Sequence, residues 1–375
     1  MATLIPASYA ASRQRFRAGL AGIRDRWPAA RLEAHAVPPE AEELTIDVLL
    51  APARSAAQHL LLVTTGEHGI EGYVGSAIME LFMREVLPAL DPQTTALCLV
   101  HAMNPWGMSH EERTTASNVD LNRNFVLSWN PPPAANAGYR ALRTMFQPEG
   151  PLRSIALSRL GLQSQAIRLA IAGKSGMLRQ ALLAGQYEEP RGLYYGGTGW
   201  EPETLVMQKV YGACFRAAPH LVHVDLHTGY GPRTLMSVVN SALDPGPSNV
   251  WKERIDYPNV VASTTEEFYH IDGDMIDAMY RVQQLDFPST ALYATCFEFG
   301  CLGDGLAAQI DSLWRAVAAN RLRWNGAASK AVAQEARRLW REAYCPSDPA
   351  WEERAQGDAL RAMRGILHDQ GLLTA

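Results

Sequence analysis

Two short apolar runs, residues 58–64 around Leu60-Leu61-Leu62-Val63 and TALCLVHA at 95–102, bracket a stretch from Val74 to about Val86 whose apolar residues recur at helical spacing. Strand, helix and strand in that order make a crossover unit, and the pattern repeats. Further strands are expected at 221–227 (LVHVDLH), 234–240, 259–264 and 289–299 (STALYATCFEF), with helical stretches between some of them. Such alternation predicts an α/β fold, a sheet covered by helices on both faces.

From about 139 to 185 the pattern changes. Leu, Ile, Ala and Arg fall at 3.6 spacing without a β-rich run, which predicts two or three helices inserted beside the sheet. Residues 306–375 also read as helical, and Asp348-Pro349 is a helix start, a capping acid followed by proline in the first turn. The expectation is one catalytic domain over 1–375, with 139–185 as a helical insertion and 306–375 as a helical extension packed on it.

Charge and cysteine usage exclude several classes of function. Lys and Arg total 34 against 39 acids, a net charge of −5, with no block of like charge that would suit nucleic acid or an anionic membrane. No run of 18 apolar residues occurs, and the first 23 residues lack the apolar core of a secretory signal. The five cysteines are odd in number and hold no C-x-x-C pair, which suits reduced thiols and a cytoplasmic setting. Cys98 and Cys296 lie within strand-like runs, as buried small hydrophobes do.

The chemistry concentrates behind the first apolar run, in GEHGIEG (66–72). His68 and Glu71 stand where a strand ends and a helix is about to start, the edge at which open α/β sheets place their sites. Imidazole nitrogen and carboxylate oxygen both suit Zn²⁺, and a catalytic zinc takes three protein ligands and keeps one open position. The flanking glycines permit the tight turn. A third ligand is needed, and His101, His110, His220, His223, His227 and His270 are the candidates. His227 is best placed, ending LVHVDLH ahead of Thr228-Gly229-Tyr230-Gly231. Strand alternation puts His223, Asp225 and His227 on one face, so Asp225 could orient the site, whereas His223 would stand about 13 Å from His227 and reads as a core or surface histidine. Glu67 gains no role and is expected at the surface.

Taken in order, the motifs GEHGIEG, NPWG (104–107), Arg113, VDLNRNF (119–125), WEPET (200–204), DLHTGYG (225–231) and FEF (297–299) resemble those of the zinc carboxypeptidases over roughly residues 55–300. DLHT is similar to the form in the succinylglutamate desuccinylase and aspartoacylase branch of that superfamily. The resemblance implies a three-layer α/β/α fold around a mixed, mostly parallel sheet of about eight strands. It implies one zinc ion on His68, Glu71 and His227, with Glu298 as general base and Arg113 beside the developing oxyanion. Asn122 and Arg123 match the pair that binds a substrate carboxylate. A looser match of FYHIDGDMIDAMY (268–280) to a mobile tyrosine loop puts Tyr269 over the substrate and Ile276 in the pocket for the side chain next to the scissile amide, which implies an apolar preference.

The residues carry part of this independently. Glu298 lies near a strand end in an apolar run, where an ionised carboxylate needs a partner. Arg123 has the planar fork that pairs a carboxylate through two hydrogen bonds. WEPET is expected to shape the structure near the site, and YYGGTG (194–199) reads as a turn, since it lacks the lysine and strand context of a phosphate loop. The leading expectation is a carboxypeptidase-type metallopeptidase acting on a peptide with a free carboxylate. An N-acyl amino acid amidohydrolase with the same site is the alternative, and a non-catalytic binding protein on this fold is a third.

Overall fold

Why the chain folds as layers is visible in β5, whose sequence HLVHVDLHTG alternates His223, Asp225 and His227 with Val222, Val224 and Leu226. Side chains point alternately to the two sides of a strand, so each set meets a different layer. The computed structural model describes residues 3–244, 246–262 and 273–373. In chain order its first half contains α1 (Tyr9–Arg24), β1 (Arg31–Ala36), β2 (Thr45–Ala51), β3 (His59–Thr65), α2 (Gly72–Glu85), β4 (Thr95–His101), α3 (Pro105–His110), α4 (Ala137–Ala141), α5 (Arg143–Phe146), α6 (Ile155–Ile171) and α7 (Ser175–Leu183). The second half contains α8 (Pro202–Ala217), β5 (His220–Gly229), β6 (Ser237–Asn240), α9 (Ser248–Arg254), β7 (Val260–Ala262), α10 (Met275–Asp286), β8 (Ala291–Gly300), α11 (Leu306–Asn325), α12 (Lys330–Glu342) and α13 (Pro349–Asp369).

The eight strands of the described residues join one sheet in the order β1-β2-β4-β3-β5-β8-β6-β7. The run β4-β3-β5-β8 is parallel, as is β6 with β7, whereas β1-β2, β2-β4 and β6-β8 are antiparallel. The sheet is therefore mixed and mostly parallel, as expected. Tyr211 of α8 lies against His223, with ring centroids 5.8 Å apart. Gly75 of α2 faces Thr65 and Leu226 from the other side, so the sheet is a middle layer. On that second side Phe82 of α2 meets Phe297 of β8 edge-on at 6.4 Å.

Two strands escape the sequence reading, β1 and β2. β1 is half exposed, and β2 carries the buried Asp47, whose carboxylate takes hydrogen bonds from the Arg17 guanidinium of α1 at 2.5 and 2.9 Å. A charge inside an apolar run hides a strand whenever its partner comes from elsewhere in the chain. The strand expected at 234–240 is shorter in the structure, at Ser237–Asn240; the one expected at 259–264 is seen at Val260–Ala262, and residues 263–264 lie outside the described residues. Asp348 caps α13 as read, its side chain accepting the Ala350 N–H at 3.0 Å.

The main apolar cluster fills the sheet faces and takes in α13 through Trp351, Met363 and Ile366. A second cluster unites the helices of 137–183 with α11 and α12 through Tyr139, Phe146, Leu162, Trp314 and Trp340. Ile70, in the middle of GEHGIEG, belongs to that second cluster. The helical segment thus grips the turn that presents His68 and Glu71.

Candidate metal centre and active site

The site forms where β3, β5 and β8 end side by side. Register pairs Thr65 with Leu226 and His227 with Glu298, so the last residues of the three strands stand next to one another. After β3 the chain turns through Gly66 at φ 74° and enters a single helical turn, Gly69–Glu71, with His68 at its cap. A Cβ on Gly69 would lie 2.1 Å from the carbonyl carbon of Gly107, so only glycine lets NPWG approach this closely. The turn is fastened by Gly69 N–H to the Arg113 carbonyl at 3.2 Å and Ile70 N–H to that of Glu112 at 2.9 Å.

His68 and His227 are 3% and 5% exposed, and their ring centroids are 5.1 Å apart. Glu71 Oε2 lies 3.1 Å from His227 Nδ1 and accepts the Thr228 N–H at 2.9 Å. Arg113 stands among the predicted ligands: its Nη1 is 3.3 Å from Glu71 Oε1, its Nη2 is 2.6 Å from His68 Nε2, and its Nε donates to Asp120 Oδ2 at 3.1 Å. His68 Nδ1 faces the other oxygen of Asp120 at 3.4 Å. The sequence-predicted residues His68, Glu71, His227, Arg113 and Glu298 therefore converge.

Glu67 does not lie at the surface as expected. It is 1% exposed, and its Oε2 is 3.3 Å from His227 Nε2. The turn through Gly66 carries it inward, which adjacency to a glycine could not disclose. Asp225 also meets His227 Nε2, while Thr64 donates to the other Asp225 oxygen at 2.5 Å and contacts His223 Nε2 at 2.8 Å. Asp225 thus lies against His227 at the site, and His223 is a core histidine. Of the other histidines, His101 bonds Ser12, His110 stacks on Trp106, and His220 bonds His59 and Gln370. His270 and Tyr269 lie outside the described residues.

Burial sets the charges. It pushes Glu67 and Glu298 up to about 8 each, with His227 as the opposing influence. Burial, with Arg113, His227 and Arg123 adding like-sign repulsion, holds His68 well below the usual imidazole value, hence neutral. Burial would also discharge His227, but Cys296 and Asp225 raise it well above that value. Since burial keeps the Cys296 thiol protonated, the effective counter-charge is the Asp225 carboxylate. Among the described residues, two sets could hold a metal ion here, Glu67 with His68 and His227, and His227 with Cys296 and Glu298.

Arg123 is 4% exposed, and its Nη1 donates to the Asn122 carbonyl at 2.7 Å. Asn122 Oδ1 accepts the Met275 N–H at 3.0 Å, which ties the DLNRNF loop to the start of α10. Ile276, one residue on, is packed in the main apolar cluster. A cleft of about 330 Å³ follows the loop, lined by Phe125, Val126, Asp274 and Arg281 among others. Tyr194 was not singled out by the sequence, yet its ring lies 5.8 Å from the Arg113 guanidinium carbon and 5.9 Å from that of Arg123. The sequence reading took YYGGTG only as a turn, and there Tyr194 adopts φ 54°. WEPET shapes the loop as expected, with Glu201 accepting from Thr115 Oγ1 at 2.9 Å and Thr204 donating to Asn124 Oδ1 at 2.6 Å.

The fold and this cluster define an α/β protein with a buried His and carboxylate centre at its strand ends. The family described as "Protein of unknown function (DUF2817)" matches residues 6–357, and the chain belongs to that family. Among solved structures, bovine thrombin-activatable fibrinolysis inhibitor in complex with tick carboxypeptidase inhibitor is similar at 14% identity and a TM-score of 0.46, over 88% of this chain and 96% of that one. Carboxypeptidase A from Helicoverpa armigera is similar at 14% identity and a TM-score of 0.46, over 92% and 77%. A Shewanella frigidimarina NCIMB 400 protein, a candidate succinylglutamate desuccinylase/aspartoacylase, is similar at 14% identity and a TM-score of 0.40, over 80% and 73%. None of the curated proteins matches the chain.

Proposed function

We propose that the protein is a zinc-dependent hydrolase of carboxypeptidase type that cleaves an amide next to a free carboxylate. The observation that carries this reading is the convergence of the buried His68, His227, Glu67 and Glu71 with the half-buried Glu298 at one strand edge, with Glu67 Oε1, His68 Nδ1 and Glu298 Oε2 lacking a hydrogen-bond partner among the described residues. Buried acids without donors are costly, and a divalent cation removes that cost. Neutral imidazole and carboxylate are the donors of catalytic zinc sites, so the residues fit the ion. His68 and His227 would hold it with a carboxylate, which the motif assigns to Glu71. When bound, such an ion supplies Lewis acidity, polarising a carbonyl and making water acidic.

The remaining work falls to the chain. Glu298, whose Oε2 is buried without a partner among the described residues, takes the proton of the attacking water and returns it to the leaving nitrogen. Arg113 is placed to hydrogen-bond the oxygen on which negative charge develops. Arg123 receives the substrate carboxylate, supported by its buried Nε, which lacks a partner among the described residues. The DLHT form at 225–228 favours a second reading, an N-acyl amino acid deacylase using the same residues. Five free cysteines suit a reducing cytoplasm, and no helix among the described residues is long and apolar enough to cross a membrane.

Elemental analysis for zinc, with turnover of a blocked dipeptide ending in Phe and of N-acetyl-aspartate, tests the proposal. Stoichiometric zinc and faster turnover of the dipeptide are expected; preference for N-acetyl-aspartate selects the deacylase. Absence of zinc, or equal activity in Glu298→Gln, overturns the mechanism.

A further inference from the structure

The helix α6 is apolar on two sides. Leu162 and Ala166 are buried, and Trp314 of α11 donates to Ser158 at 3.2 Å, so one side packs on the body of the protein. Leu157, Leu160, Ser164, Ile167 and Ile171 recur at intervals of three and four, which at 3.6 residues per turn places them on the opposite side. Its four apolar members are 72%, 61%, 56% and 83% exposed. A single exposed leucine needs no explanation, but four large apolar side chains in line along a helix about 25 Å long make a patch of the kind that marks an interaction surface.

Charge decides what the stripe faces. Between residues 150 and 187 the chain has five cations and no acid, although the whole sequence holds 39 acids. Arg159 pairs with Asp311 of α11 at 2.8 Å. Arg153 just ahead of α6, Arg168 within it and Lys174 just beyond it are exposed and form no ion pair among the described residues. They stand at both ends of the stripe and along one edge, Arg168 being four residues after Ser164 and three before Ile171. A second copy of this face is a poor occupant. Paired antiparallel about Ser164, Arg153 of one helix meets Lys174 of the other at both ends; paired parallel, each cation meets itself, and like charges brought together oppose association. The occupant must be apolar at its centre and anionic around it. An anionic bilayer is both, and it needs no groove shaped to a convex helix: apolar side chains enter below the headgroups while the long stems of Arg and Lys reach back to the phosphates. The overall charge of −5 hides this face, because the cations are too far apart in the chain to form a block and only packing against α11 shows which side of α6 stays open.

We propose that the exposed face of α6 docks the protein on an anionic phospholipid bilayer, with Leu157, Leu160, Ile167 and Ile171 entering the headgroup boundary and Arg153, Arg168 and Lys174 meeting lipid phosphates. None of these residues belongs to the centre at the strand ends, so docking and hydrolysis fail separately.

Flotation of the full chain with lipid vesicles tests the docking. Binding is expected on phosphatidylcholine vesicles containing about 30% phosphatidylglycerol, and should fall at least about tenfold on pure phosphatidylcholine or in high salt, since each cation near an anionic surface contributes roughly fivefold. The double variant Ile167→Ser/Ile171→Ser should abolish binding, and Arg168→Gln/Lys174→Gln should weaken it about 20–30-fold. Both should keep the wild-type melting temperature, because the side chains are exposed. Sedimentation velocity without lipid should show one and the same species for all three proteins. A wild type that does not float with anionic vesicles overturns the proposal. So does equal binding on both lipids, or binding undiminished in the variants. A wild-type dimer that Ile167→Ser/Ile171→Ser dissolves assigns the stripe to a second copy and overturns it as well. If the isoleucine variant melts lower, Arg168→Gln/Lys174→Gln decides alone, and its unchanged flotation overturns the proposal.

Discussion

Two polar regions lie within one loop's length of each other and are built in opposite ways. At the two asparagines that anchor the loop after β4, every amide atom is used: Asn124 donates to the carbonyls of Gly196 and Gly199 at 2.8 and 2.9 Å and accepts from Glu201 N–H and Thr204 Oγ1 at 2.8 and 2.6 Å. Asn118 is equally engaged, donating to Pro190 and Gly192 carbonyls at 2.9 Å each and accepting from Thr114 and Arg323 at 3.2 and 3.1 Å. At the strand ends, Glu67, His68 and Glu298 each keep at least one buried atom without a hydrogen-bond partner among the described residues. A saturated network has nothing left to bind and serves as scaffold; an unsaturated one of mixed acids and imidazoles awaits a ligand.

Substitutions can break that contrast. The largest effect is expected at the unsaturated region: Glu298→Gln should lower kcat by about 10²–10⁴-fold, the range of lost general acid–base catalysis, while the melting temperature holds or rises. Steady-state kinetics beside calorimetry checks both halves. In the saturated region the signs exchange. Asn124→Ala strands two carbonyls, an N–H and a hydroxyl, and should cost about 3–5 kcal/mol in denaturant unfolding, since each buried group left unpaired costs about 1–3 kcal/mol and some relax toward water.

A smaller effect sharpens the comparison through pH. Glu203, in the first turn of α8, is 2% exposed with Oε2 unpartnered among the described residues, and burial pushes it up to about 8 from the usual 4.5. The folded state binds this proton more tightly than the unfolded one, so the stability it supports is full below about 4.5 and is lost as pH rises through 8. Melting scans from pH 5 to 8.5 should show the wild type falling and Glu203→Gln falling less. The smallest effect belongs to the exposed face of α6: Leu160, 61% exposed, should tolerate Ser within about 0.5 kcal/mol and without change in kcat.

Much of this molecule is legible in the chain. The runs of β3, β4, β5 and β8 announce buried parallel strands because apolar residues dominate them over short lengths, and the alternation in LVHVDLH separates the α2 face from the site face. His68, Glu71 and His227 could be named because strand ends are where such side chains become accessible. β2 was hidden by Asp47, whose neutralising arginine sits on α1, thirty residues earlier in the chain.

The sequence by itself determined the layered α/β plan and the set of residue types at the strand ends, since both follow from periodicity and from punctuation by glycine and proline. Which of those residues meet was decided by tertiary structure. Glu67 turns inward because Gly66 takes a left-handed φ and because Gly69 lets NPWG close against the turn. Tyr194 reaches Arg113 and Arg123 from about seventy to eighty residues away. Distances of that kind depend on packing between segments remote in the chain, and local pattern carries no record of them.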